Sequence, residues 1–276
     1  MTRRVVPGRG GGRPVSDTPF GGVRAPSNPE YRPLAAMFVG DVTIDADQPY
    51  YVNPLPRLQY QSHAGACVAH GFSYPAEAEA LSRAIVVQVC RQDLYFGARW
   101  LRGWERQDSG CLLPDMAVWM RDYGCLSEDR KPWNASDVTT WRPDPKLVNE
   151  RRSLTCKYDP MSATLTGLLT ELAANRAIPF AHWVTNGMLN PVNGIERWTA
   201  SEPRLGAHCR AIVGYDPDTG FLVVNSWRGW GKSHPVLNRT HPDSFTWVPV
   251  ETMLDPSFSF DFHRLTRPLP VEGVDA

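Results

Sequence analysis

A thiol, an imidazole and a carboxamide stand far apart in this chain, in an order that suits nucleophilic acyl chemistry. Cys67 lies in Gln61-Ser62-His63-Ala64-Gly65-Ala66-Cys67-Val68-Ala69-His70. His208 follows in Gly206-Ala207-His208-Cys209-Arg210-Ala211-Ile212-Val213-Gly214-Tyr215, and Asn225 closes Phe221-Leu222-Val223-Val224-Asn225 ahead of Ser226-Trp227. A cysteine attacks carbonyls as its thiolate, a histidine takes and returns the proton, and a third group fixes the ring's tautomer. If folding brings these side chains together, the protein cleaves or transfers acyl groups.

The elements that must position them differ along the chain. From Cys67 to about Val89 the residues favour helix, with Pro75 expected to kink or split it, because proline lacks a backbone donor. Residues 94–104 and 113–123 read as further helices, the second capped by Gly124, and residues 163–175 have helical spacing. Residues 130–160 are turn-rich and suggest a crossover between lobes. Residues 178–184, 208–215, 221–225 and 245–248 are strand-like, and Asp216-Pro217-Asp218-Thr219-Gly220 predicts a hairpin between the second and third. The nucleophile thus falls on a helical half, and the base and its orienter on a β half. Three segments follow: a flexible Gly/Pro/Arg-rich extension at 1–33, a helical lobe at 34–145 and a β-rich lobe at 146–276. Residues 34–39 and 42–44 are expected to form a short entry strand.

Composition narrows the function. The chain has 276 residues, enough for one large domain or two lobes. Its 29 basic residues balance 29 acidic ones, so no net field draws it to nucleic acid or an anionic membrane. With 25 prolines and 22 glycines it reads as loop-rich with β structure. The basic start lacks the apolar run of a secretory signal, and no stretch approaches the roughly 18 apolar residues of a membrane span. The expected location is the cytoplasm. Six widely spread cysteines, at 67, 90, 111, 125, 156 and 209, fit reduced thiols better than a disulfide framework.

Several of these motifs agree at once with one family. Gln61 stands six residues before Cys67 as Gln-x-x-x-Gly-x-Cys, His208 opens a strand ending Val-Gly-Tyr, and Asn225-Ser226-Trp227 is followed by Trp230-Gly231. Over roughly residues 50 to 265 the chain resembles the papain family of cysteine peptidases, and bacterial members in Phe245-Thr246-Trp247-Val248-Pro249-Val250-Glu251. The resemblance implies an α+β, two-lobed fold with a helical lobe carrying the nucleophile and an antiparallel, barrel-like β lobe. It implies Cys67 as nucleophile, His208 as base and acid, and Asn225 as orienter under Trp227. Gln61 and the Cys67 backbone N–H become the oxyanion donors. A helix N-terminus and a neighbouring imidazolium are expected to lower the thiol pKa. Gly65, Ala66, Trp183, Ala207 and Trp227 are the expected substrate-binding positions. No cofactor or metal is called for, and the partner is a peptide or protein substrate.

Other readings attach to the same residues. A single cysteine is most often a small buried apolar residue; the distant His and Asn motifs set this one apart. His70, three residues after Cys67, is a rival base, or fills a family position usually held by an aromatic. His63, His182, His234, His241 and His263 read as surface or packing residues. Cys67, His70, His208 and Cys209 superficially offer zinc ligands, but strand neighbours point to opposite faces. Departures from the family include Val68 after the nucleophile, Ala64 in place of a cysteine that many secreted members bridge, and Pro75. Leu112-Leu113-Pro114 stands where papain has a glycine pair, and the N-terminal extension is shorter than an inhibitory pro-domain. Val68, Pro75 and the missing glycine pair motivate a non-catalytic peptide-binding module as the alternative; a transpeptidase or isopeptidase would keep the same triad.

Overall fold

A computed structural model describes residues 44–231 and 244–270. The extension expected at 1–33, the strand at 34–39, most of that at 42–44, and His234 and His241 lie outside the described residues.

Helix α1, Cys67–Ser82, continues through Pro75 without splitting there. Every residue from Cys67 to Ala78 is buried. Packing on all sides therefore holds a helix that the proline alone would weaken. The helix also stops earlier than expected. Ala84 takes a left-handed φ of 62°, and the Ile85 N–H turns back to the Ala80 carbonyl. Helices α2, Arg91–Trp100, and α3, Leu113–Asp122, pack closely because Gly97 has no side chain: a Cβ there would lie 1.9 Å from the Trp119 ring. Gly124, at φ 74°, ends α3 as the sequence suggests.

The crossover region carries more structure than its turn-rich composition indicates. Helix α4 spans Val148–Ser153, and strand β2, Lys157–Pro160, pairs with β8, His263–Arg267, as a separate antiparallel ribbon. Helix α5, Leu165–Ala173, leads to the main sheet. Strands β3 (Ile178–Val184), β4 (Gly206–Asp216), β5 (Gly220–Val224), β6 (Phe245–Val248) and β7 (Ser259–Phe260) lie in the order β6-β5-β4-β3-β7. A short β1, Tyr50–Tyr51, pairs with β4, and these strands pair with one another antiparallel throughout. The expected hairpin at 216–220 joins β4 to β5. Two short helices, α6 (Asn186–Leu189) and α7 (Val250–Leu254), flank the sheet.

Buried apolar residues form one core around α1–α3 and another on the sheet with α5. Helix α1 serves both: Cys67, Val68, Ala69 and Phe72 face the first, Tyr74 and Ala78 the second. Gly71 lets α1 lie against β4, since a Cβ there would meet Cys209 Sγ at 2.5 Å. The start of α1 is thereby pressed onto the strand that carries His208. Three buried ion pairs reinforce the frame: Arg91–Glu77, Arg151–Asp93 and Arg210–Glu196. No helix among the described residues is long and apolar enough to cross a membrane.

Candidate active site

Cys67 is the first residue of α1, and its side chain is buried between that helix and β4. The preceding loop turns sharply, with Ser62 at φ 56°, and is tied down at both ends. The Gln61 N–H donates to the Ser226 carbonyl at 3.0 Å, and the Gly65 N–H donates to Asp108 Oδ1 at 2.9 Å. The Tyr95 hydroxyl also donates to Asp108 Oδ1, and accepts from the Gly110 N–H at 3.1 Å. Behind it the buried Arg99 guanidinium lies 3.7 Å from the Tyr95 ring centroid and donates to the Tyr95 and Val138 carbonyls.

His208 lies on β4, and Asn225 follows the end of β5. Asn225 Oδ1 is 2.8 Å from His208 Nε2. A carboxamide oxygen only accepts, so Nε2 carries the ring proton and Nδ1 keeps the lone pair that a base needs. Trp227 stacks on the imidazole at 4.1 Å between centroids, and Trp230 meets Trp227 edge-on. Among the described residues no hydrogen bond joins Cys67 Sγ to the ring; the sulfur lies beside backbone N–H groups, those of Cys209, Val68 and Cys67.

Gln61 is fully buried and oriented from both ends of its amide. Ser226 Oγ donates to Oε1 at 2.6 Å, and Nε2 donates to the Ala64 carbonyl at 2.9 Å. The NH₂ group has two hydrogens, so one is left to donate elsewhere. Trp183 and Ala207 are cross-strand partners one step from the His182↔His208 pair. Trp183 packs on Phe260 and beneath the Arg204 guanidinium.

The electrostatics differ from the sequence expectation. The helix N-terminus was expected to lower the thiol pKa, yet burial pushes Cys67 up to about 12, with nearby N–H groups offsetting only part of this. Burial lowers His208 to about 3; the Asn225 bond raises it, and Arg210 lowers it further. Desolvation outweighs the helix dipole because the thiolate and the imidazolium would both lie in the interior. Both shifts favour the uncharged forms, a thiol at Cys67 and a neutral imidazole at His208.

The described histidines read as surface or packing residues are so: His63 is exposed, and His182 and His263 are buried. His182 is a buried packing residue, with partners the sequence does not announce. Its Nε2 accepts from Arg210 Nε at 2.7 Å, and its ring meets His208 edge-on at 5.6 Å. His263 packs on Phe72, and His63 is exposed. His70 Nδ1 is engaged with the Gln59 carbonyl at 3.1 Å. All six cysteines are unpaired and buried.

No protein-family model matches the sequence, and no curated protein does. Solved structures match the fold. Xylellain, a cysteine protease from Xylella fastidiosa, aligns with a TM-score of 0.71 at 17% identity, over 82% of this chain and 87% of its own. Procathepsin B S9 from Trypanosoma congolense aligns at 0.68 with 11% identity, over 91% and 87%. Digestive procathepsin L 3 of Tenebrio molitor aligns at 0.55 with 16% identity, over 88% and 74%. The fold is papain-like. Within this papain-like frame the helix bearing Cys67 and the strands bearing His208 and Asn225 converge, as the motif order suggests. Asp108, Tyr95 and Arg210 are supporting residues that the sequence reading does not pick out; Ser226 stands in the Asn225-Ser226-Trp227 motif, but its bond to Gln61 is not read there. Ser226 had a signal in its place next to Asn225; Asp108 had none, since it meets Gly65 only in space.

Proposed function

We propose that this chain is a thiol peptidase that hydrolyses peptide bonds through a thioester. The observation that carries this reading is the Asn225 Oδ1 to His208 Nε2 hydrogen bond, which leaves His208 Nδ1 as the basic nitrogen. As a substrate carbonyl is attacked, the Cys67 thiol proton passes to Nδ1 and the sulfur–carbon bond forms. The carbonyl oxygen becomes an oxyanion that accepts from the remaining Gln61 Nε2 hydrogen and the Cys67 N–H. The imidazolium then protonates the leaving amine as the C–N bond breaks. Water, deprotonated by the same ring, hydrolyses the thioester and returns the thiol. Gly65 and Ala66 are both buried, Gly65 against Asp108 and Tyr95, so a peptide would reach them only through their backbone. Ala207, Trp183 and Trp227 would wall it, with the bulk of Trp183 narrowing the pocket. The expected partner is thus a peptide or protein substrate.

The same burial supports a second reading, a peptide-binding module without turnover, since Cys67 is only 1% exposed. Iodoacetamide separates the two. In a peptidase His208 takes the proton as Cys67 reacts, so Cys67 alkylates near neutral pH much faster than the other five thiols. Burial lowers His208, so the protonation that disables it falls well below pH 6.5, and the fast rate holds down to about pH 5. Equal rates for all six cysteines favour the binder, and a rate halved near pH 6.5 refutes the lowered base.

Gln61→Ala tests the oxyanion donor. Loss of one such donor lowers kcat by about 10²–10³ with KM little changed. An unchanged kcat removes Gln61 from the mechanism.

A further inference from the structure

Asn225 uses one end of its carboxamide on His208, which raises the question of what holds the other. Its Nδ2 is buried and has no hydrogen-bond partner among the described residues. The same is true of His70 Nε2, on the first turns of α1. The two residues line one cavity of about 10 Å³ between α1 and the end of β5, together with Leu58, Gly71, Tyr74 and Ser226. That volume admits the centre of a single water.

The two atoms have opposite hydrogen-bonding character. His70 Nδ1 faces the Gln59 carbonyl at 3.1 Å, and a carbonyl only accepts, so Nδ1 carries the proton and Nε2 presents a lone pair. Asn225 Nδ2 has only hydrogens to offer. Burial, with Arg91 and His208 adding to it, holds His70 in the neutral form that keeps this lone pair. Buried polar atoms of this kind are almost always paired, and a bound water between a donor and an acceptor is the usual means.

We propose that one water occupies this cavity, accepting from Asn225 Nδ2 and donating to His70 Nε2, and that His70 is thereby a positioning residue for His208. The relay runs from the Gln59 carbonyl through His70, the water and Asn225 to the imidazole. It fixes the carboxamide plane from its far end, so Oδ1 stays aimed at Nε2. An aromatic residue at position 70 fills space but accepts no such bond. The catalytic consequence rests on the peptidase reading; the water site itself does not.

The test is a crystal structure of the full-length chain at a resolution that orders water, together with His70→Phe and His70→Gln. The expected density shows a water within hydrogen-bond distance of both Asn225 Nδ2 and His70 Nε2. H70F is expected to lose that water and lower kcat about tenfold with KM unchanged, since small misplacements of a reacting group cost that much or more. H70Q, whose side-chain oxygen accepts, recovers most of the rate. A cavity without water in the wild-type density, or a water that touches only one of the two atoms, overturns the proposal. So does H70F with the wild-type kcat. If H70F does not fold, the wild-type density and the H70Q rate decide. If the wild type hydrolyses no peptide, the peptidase reading falls, and the water site stands or falls on its density alone.

Discussion

Under the proposed function, replacing Cys67 by alanine is expected to abolish peptide hydrolysis and leave the fold standing. The loss is expected to be on the order of 10⁵-fold in kcat or more, because no other group in the site can form the thioester. The structural cost is small. Cys67 packs as a small apolar residue beside Ala64, Ala66 and Val68, and its sulfur makes no disulfide. Cleavage of a peptide library, run beside a thermal melt of the same variant, measures both. Turnover within tenfold of wild type would remove Cys67 as the nucleophile. A collapsed melt would show that the sulfur is needed for packing.

Arg210→Met produces the second large effect, this time on stability. Arg210 and Glu196 are both fully buried and joined through both guanidinium NH₂ groups. Removing the cation leaves the Glu196 carboxylate in the interior with only the Thr246 hydroxyl. Breaking a buried pair in this way costs about 3–5 kcal/mol. At about 2–4 °C per kcal/mol for domains of this class, Tm falls on the order of 10 °C. The combination of Arg210→Met with Glu196→Gln recovers part of the loss, because no uncompensated charge remains. The local effect reaches the site. Arg210 Nε is the donor that holds His182, and His182 packs edge-on against His208. A change in Tm below about 2 °C for the single variant would show that the pair contributes little.

The parts of this molecule legible in the sequence are those coded by neighbours along the chain. The strands at 178–184 and 221–225 announce themselves through runs of apolar residues, and Gly124 through its place after an amphipathic helix. The order of Cys67, His208 and Asn225 suggests the site only together with their neighbours, Gln61 ahead of the cysteine and Ser226-Trp227 after the asparagine. Pro75 does not split α1, because local propensity says nothing of a helix buried on every side. The β2–β8 ribbon was missed because its strands lie about a hundred residues apart and one of them ends in proline. The direction of the Cys67 shift was misread for a related reason. The helix dipole follows from an element's start, but desolvation depends on what packs over it. Asp108 and Arg210 act through contacts that no spacing rule encodes.

The loop ahead of the nucleophile is held by Asp108 and Tyr95, which reach Gly65 and Gly110 through hydrogen bonds alone. Ala64 stands where many secreted members of the family this chain resembles keep a bridging cysteine. The fastening here assembles as the polypeptide folds and needs no oxidase to complete it. Dithiothreitol therefore leaves it untouched at concentrations that keep the Cys67 sulfur reduced.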